Sequence, residues 1–278
     1  MLYLFLDIIT TAAILFIVSS GLLIIFGVMK IINFAHGVFL TIGGYSSLVV
    51  THFDWNPWFS MPLAFVVGCL LGSVIERTVL RFLYHRPLDA ILATWGLGIV
   101  LGQLIIIGFG REVQFAAGPV SGAMELFGDF YSKYRLLLII FSVLVAGAMW
   151  LLLKGTRIGL QTRAVIMNEP LARGLGINSS RVRLITFSFG AGLACLAGAF
   201  ITPLSSVDPN MGLPWLVSAF MLVLVSGNSF LALASACIVL GGAQVLASTY
   251  ISPVIGGLTL AVLAALLLRI RPKGFAYD

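Results

Sequence analysis

The chain is a succession of long apolar runs, and that pattern leaves it few possible folds. The runs cover roughly Leu4–Val28, Phe34–Thr51, Trp58–Leu80, Ala90–Phe109, Arg135–Leu153, Arg183–Thr202, Pro214–Ser226, Ala232–Ile251 and Pro253–Ile270. Most approach the about 20 helical residues that cross a hydrocarbon core of about 30 Å. They are continuously apolar and do not alternate with period two, so they read as helices and not as barrel strands. Of the 278 residues, 60% are hydrophobic and only 9% charged. A soluble domain has roughly a quarter of its residues charged and could not hide this much apolar surface from water. The sequence therefore predicts an all-α, polytopic transmembrane helical bundle of eight or nine spans, a single transmembrane domain over 1–278. A re-entrant segment in the first two spans, or at the short turn Gly227–Phe230, would alter the count. The stretch Met1–Asp7 lacks the basic start of a secretory signal, and the run after it is too long for one, so it reads as a span of the mature chain.

The charges are not spread evenly. Lys30, the segment Glu76–Asp89, the segment Lys154–Arg183 and the tail from Arg269 onward hold thirteen of the sixteen Lys and Arg. By the positive-inside rule these segments are cytoplasmic. His52–Pro57 and Pro203–Pro214 contain no Lys or Arg, and Gly110–Lys133 is mixed in sign. Nine spans, with the N-terminus outside and the C-terminus inside, satisfy all of these placements. The net charge of +6 lies between apolar runs, which points to topology and membrane lipid and not to nucleic acid. Cys69, Cys195 and Cys237 each lie inside an apolar run without metal-ligand spacing, and read as small packing residues. Gly68-x-x-x-Gly72, Gly98-x-x-x-Gly102 and Gly190-x-x-x-Ala194-x-x-x-Gly198 put small residues on single helix faces, where backbones can approach closely.

Polar groups at membrane depth are costly, so each is a candidate site. Asn33 and His36, in Ile31-Ile-Asn33-Phe-Ala-His36-Gly37, are three apart and share a helix face. They read either as lining of a gate or pathway, or as a helix start in which Asn33 caps the first turn. Thr94 and Trp95, with Gln103 two turns on, form a second group, with Trp95 either facing a pore or packing. Glu76 stands beside Arg77 at a span end and is expected to pair with it. His52 and His85 fall in expected loops, and Asp208-Pro-Asn210 in a turn at a helix entry.

The basic segment 154–183 contains Asn168, Glu169, Pro170, Leu171, Ala172, Gly174 and Gly176. Pro170 suits the opening of a helix and Gly176 a left-handed end. A short cytoplasmic helix results, either a docking element for a soluble partner or a plain surface helix. The chain has no phosphate-binding G-x-x-x-x-G-K-[ST] loop, no carboxylate cluster with metal spacing and no catalytic triad, so no metal, cofactor or catalytic residue is expected. Ionisable residues inside spans are scarce, which disfavours proton coupling; if the chain pumps a solute, the energy is expected from a separate ATPase.

Three separated motifs carry a resemblance. They are Gly27-Val-Met-Lys-Ile-Ile-Asn33-Phe-Ala-His36-Gly37, the loop Gly155-Thr-Arg-Ile-Gly159 through Arg163 and Asn168 to Ile177, and the tail Arg271-Pro-Lys-Gly274-Phe. Over nearly its whole length the chain resembles permease subunits of the branched-chain amino acid type of ABC importers. Three stretches look closer to the urea and short-amide permeases: Glu76-Arg-Thr-Val-Leu-Arg81, Arg86 to Gly96, and Val207-Asp-Pro-Asn210-Met-Gly212. Ser226-Gly227-Asn228-Ser229-Phe230 stands where the family has a G-G-x-G turn. The resemblance implies a multi-pass importer of a bacterial-type cytoplasmic membrane. Its partners would be a second homologous permease chain, two ATP-binding subunits and a periplasmic or lipid-anchored substrate-binding protein. It also implies a coupling role for Asn168–Gly176, with ATP hydrolysis left to the partners. The solute would be urea, a short amide or a branched-chain amino acid. A passive channel or facilitator for small polar solutes is the alternative.

Overall fold

The computed structural model describes residues 2–84, 86–126, 129–227, 229–272 and 274–275. His85, Asn228 and Lys273 lie outside the described residues. The elements, in chain order, begin with four helices: α1 (Leu2–Met29), α2 (His36–His52), α3 (Ser60–Thr78) and α4 (Pro87–Phe109). A hairpin follows, β1 (Ala123–Leu126) and β2 (Asp129–Ser132), then α5 (Lys133–Gly155) and two short helices, α6 (Arg157–Met167) and α7 (Glu169–Gly174). Then come α8 (Ser179–Ile201), α9 (Gly212–Ser226), α10 (Phe230–Tyr250) and α11 (Pro253–Ile270). All nine apolar runs are helices. Seven are long and apolar enough to cross a membrane, while α2 and α9 have only 17 and 15 residues.

Local chemistry explains most boundaries. Thr156, Asn168, Asn178, Ser229 and Ser252 each accept a hydrogen bond from a first-turn N–H of the helix they precede. Pro87 and Pro253 open α4 and α11, where a missing N–H costs nothing. The end of α1 is different. Lys30 takes a left-handed φ of 54°, and the next residues leave the helix. They turn back into the bundle, because His36 Nε2–H donates to the Val18 carbonyl at 2.9 Å. Val18 is eleven residues before Met29, roughly 16 Å back along α1. So α2 starts inside the bundle, and the preceding irregular backbone is tolerated because Ile31, Asn33 and Ala35 are buried in protein.

Helices α1 and α8 form the centre: 83% and 72% of their apolar windows are buried, against 17% for α4, α5 and α11. Lipid supplies no hydrophobic drive between helices, so close van der Waals packing of small residues does the work. Along α8 the residues Gly190, Ala191, Ala194, Cys195 and Gly198 are buried. A Cβ on Gly198 would lie 1.9 Å from the Leu40 carbonyl oxygen of α2, and one on Gly43 would lie 1.8 Å from that of Cys195. Gly68 and Gly72 of α3 meet Ala191 and Ser188 in the same way. The pair Gly98 and Gly102 departs from the expectation for such spacing. A Cβ on Gly102 meets nothing within 4 Å, and one on Gly98 only the Phe34 carbonyl at 3.9 Å, because that side of α4 borders open space and no helix packs closely against it. Cys69, Cys195 and Cys237 are free thiols, the last two buried.

At one end of the bundle, β2 is tied to α1. The Tyr131 hydroxyl bonds Thr10 Oγ at 2.9 Å and donates to Asp7 Oδ1 at 3.1 Å, and Arg135 pairs with Asp7 at 2.6 Å. At the other end, Val28, Val165, Ala172 and Val182 form a small apolar cluster that seats α6 and α7 on the ends of α1 and α8. The basic loop 154–183 and the end of α1 near Lys30 thus share a face, as charge asymmetry predicts.

Candidate functional site

Helices α2 and α9 meet near their N-terminal ends. Gly212 N–H donates to Thr41 Oγ at 3.2 Å, and a Cβ on Gly212 would lie 1.9 Å from the Gly37 carbonyl oxygen. The entry to α9 is shaped by the Asp208-Pro-Asn210 turn, in which Asp208 Oδ1 accepts from Asn210 N–H at 2.8 Å. Beside this junction lies a groove of about 270 Å³. Phe34, Gly37, Val38 and Thr41 form one wall, and Trp95, Gly98, Ile99, Gly102, Gln103 and Ile106 of α4 form the opposite one. Pro209, Asn210, Leu213 and Leu216 close it. None of these described residues is ionisable. Two helix N-termini border the groove, and each carries a partial positive charge of about half an elementary unit.

The structure brings the two sequence-predicted groups together. Phe34 N–H donates to Thr94 Oγ at 3.2 Å, and the Phe34 ring meets Trp95 edge-on with centroids 5.3 Å apart. Trp95 is 56% exposed and faces the groove, whereas Thr94 is buried behind it and donates to the Ile91 carbonyl. Asn33 and His36 are 2% and 0% exposed and do not line the groove. Asn33 Oδ1 accepts from Ala35 N–H at 3.1 Å and holds the turn that starts α2. His36 anchors that turn to α1 through Val18. Asn33 Nδ2, His36 Nδ1 and Ser19 Oγ are buried without a partner among the described residues. Sequence reasoning passed over Phe34, which stands between the two polar candidates and is the one that reaches the groove. Its signal is the irregular backbone, which turns the side chain between Asn33 and His36 to the other side.

The cytoplasmic loop forms α7 where its punctuation predicts. Asn168 Oδ1 accepts from Leu171 N–H at 3.0 Å, Pro170 lies in the first turn, and Gly176 takes a φ of 84° just past the end. Ala172 is buried in the apolar cluster, while Leu171 is 60% exposed and Leu175 74%. Gly174 has open space around it. Glu169 accepts from Arg173 at 2.7 Å and also pairs with Arg183, while Arg173 Nε donates to Ser179 Oγ at 2.6 Å. Sequence reasoning missed α6 and this ion network. Glu76 also departs from expectation: it is buried and accepts from the Tyr84 hydroxyl, and it makes no ion pair with Arg77. Adjacent helix residues point in different directions, so Glu76 faces the protein while Arg77 is exposed.

Partial burial pushes Glu169 upward, but Arg183, Ser179 and Arg173 outweigh it and hold its carboxyl below the ordinary value. A carboxylate with a depressed folded pKa stabilises fully above its unfolded value of about 4.3, and that contribution disappears as pH falls through the folded value. Hydrogen-exchange protection of the α7 amides is therefore expected to be level down to about pH 5 and to fall below about pH 4. Protection that instead weakens as pH rises through neutrality would contradict this account.

A family model described as the permease component of branched-chain amino acid transport systems matches residues 4–270. The chain is 26% identical to the high-affinity branched-chain amino acid permease LivH of Salmonella typhimurium, over 93% of this chain and 89% of LivH. It is 24% identical to LivM of the same organism, over 96% of this chain and 69% of LivM. It is also 23% identical to the fructose import permease FruF of Bifidobacterium longum, over 72% of this chain and 56% of FruF. The chain belongs to the family of permease components of branched-chain amino acid transport systems: it is a multi-pass subunit of an ABC importer in the cytoplasmic membrane and not an enzyme, and ATP hydrolysis and solute capture fall to other subunits.

Proposed function

We propose that the groove between α2, α4 and α9 is this chain's half of the solute path, completed by a second homologous permease, and that its solute is urea or a short amide. The observation that carries the solute class is the uncharged lining beside two helix N-termini. Their partial positive charge suits a carbonyl oxygen. Nothing in the lining supplies the negative partner that an α-ammonium group would need on leaving water. Gln103 and Asn210, both exposed, offer uncharged hydrogen-bonding groups. A branched-chain amino acid is the second reading, favoured by the apolar walls Val38, Ile99, Leu213 and Leu216 and by the names of the relatives. Relatives whose names specify both amino acids and fructose make identity near 25% a weak guide to solute.

In this reading Trp95 and Phe34 line the path, and Asn33, His36 and Thr94 position them. Helix α7 takes up the movement of one of two ATPase subunits, and a substrate-binding protein delivers solute from outside. The two permease chains then open the path to each side in turn. Radiolabelled uptake into cells deleted for this chain and complemented with it tests the solute. Restored urea or acetamide uptake without leucine uptake supports the first reading. Restored leucine uptake alone contradicts it and supports the second.

A further inference from the structure

Helix α4 carries Trp95 and one whole wall of the groove, yet it is weakly held. Only Ala90, Thr94 and Ile105 of its residues are buried. Its foot, at the corner between α3 and α4, is held by a chain of contacts that ends on α7. Arg183 of α8, 6% exposed, pairs through Nη2 with Glu169 of α7. On its other side the guanidinium carbon lies 4.2 Å from the centroid of the Tyr84 ring. Tyr84, three residues before α4, donates its hydroxyl to buried Glu76 of α3. Burial and Glu76 together push that hydroxyl's pKa up, so it remains a donor.

We propose that Arg183 is a positioning residue that carries the movement of α7 to α4, clasping Glu169 on one side and the Tyr84 ring on the other. A buried cation near the start of α8 is poorly placed by itself, since desolvation and the positive helix end both disfavour it. Its Nε has no partner among the described residues, so Glu169 is its main compensation. Separating the two would strand a buried charge, and α7 and the start of α8 therefore move as one unit. The planar guanidinium lying on Tyr84 passes that movement to the corner, and the short link through Pro87 delivers it to α4. This proposal rests on α7 being the ATPase contact.

The test reconstitutes the complete importer in liposomes and measures solute uptake and ATP hydrolysis together. Tyr84→Leu is expected to lower solute moved per ATP on the order of tenfold, a coupling loss of about 1.4 kcal/mol. Tyr84→Phe keeps the ring under Arg183 and is expected to stay within about twofold of the unsubstituted complex. Combining Arg183→Gln with Tyr84→Leu is expected to be no worse than the more damaging single change, because both break one link. A normal ratio in Tyr84→Leu, or an equal fall in Tyr84→Phe, overturns the relay. If Tyr84→Leu does not assemble, Arg183→Lys serves instead: it keeps the charge beside Glu169 but loses the planar stacking. It is expected to show the same direction of loss, and an undiminished ratio overturns the relay. Leu171→Glu, on the exposed side of α7, separates the two ideas. If it leaves solute-stimulated hydrolysis intact, the α7 contact itself is wrong. If it abolishes stimulation while Tyr84→Leu retains a full ratio, only the relay fails.

Discussion

Gly198→Leu is expected to remove the folded permease from the membrane. A Cβ at this position would lie 1.9 Å from the Leu40 carbonyl oxygen, 2.8 Å from its carbon and 3.1 Å from the Gly44 nitrogen. All three are backbone atoms, so no rotamer change relieves the clash, and α2 would have to lift off α8. That would also open the Gly43–Cys195 approach and the contact between the Phe39 and Phe187 rings, 6.1 Å apart. Overpacking typically costs about 1–3 kcal/mol, and a clash with helix backbone belongs at or above the upper end. Domains have only about 5–15 kcal/mol to lose, and in the membrane the lost contacts are themselves the main source of helix association. Immunoblotting of washed membranes is expected to show roughly a tenfold loss of protein, and the remainder to melt at lower temperature in detergent. Normal abundance and an unchanged melting temperature would contradict the packing described here.

Gly102→Leu should do the reverse. The same kind of glycine spacing occurs on α4, but the added side chain meets no atom of this chain within 4 Å of its Cβ. Protein abundance is expected to remain within about twofold, since exposed changes of this kind usually cost less than about 0.5 kcal/mol. The leucine would instead project into a groove of about 270 Å³ beside Trp95 and Gln103. Uptake is expected to fall by about tenfold or more, the effect of roughly 1.4 kcal/mol added to the transport barrier. Gly102→Ala adds one methyl group and should be milder. Uptake that remains normal in Gly102→Leu would remove the groove from the solute path.

This contrast shows what was legible in the sequence. Lipid requires long apolar runs with every backbone group satisfied internally, so the spans could be located from composition and length alone. Helix α7 was equally readable, because Asn168, Pro170 and Gly176 act locally on their own turns. The glycine spacings were not, because a Gly-x-x-x-Gly face says that something can approach and not whether anything does. Gly68 and Gly72 meet α8, while Gly98 and Gly102 look into a groove. The same limit applies to Asn33 and His36. Their spacing suggested a shared helix face, but Asn33 precedes the helix, and the depth of His36 is set by the Val18 carbonyl of another helix. Glu76 and Arg183 were misread or missed because their partners, Tyr84 and Glu169, lie eight and fourteen residues away across a corner or a loop.

The central claim is that solute crosses along the α2–α4–α9 groove under the control of partner ATPases. Its most direct test is a cysteine placed at Gly102 in the assembled importer in inside-out and right-side-out vesicles. The account predicts that a membrane-impermeant thiol reagent labels Gly102→Cys, that labelling blocks uptake, and that its rate changes when ATP is trapped on the partner subunits. With the half-buried Cys69 replaced by serine in both proteins, it also predicts that the chain lacking Gly102→Cys, whose Cys195 and Cys237 are buried, is labelled far less under the same conditions. Efficient uptake through fully labelled protein, or a labelling rate indifferent to trapped ATP, would contradict it.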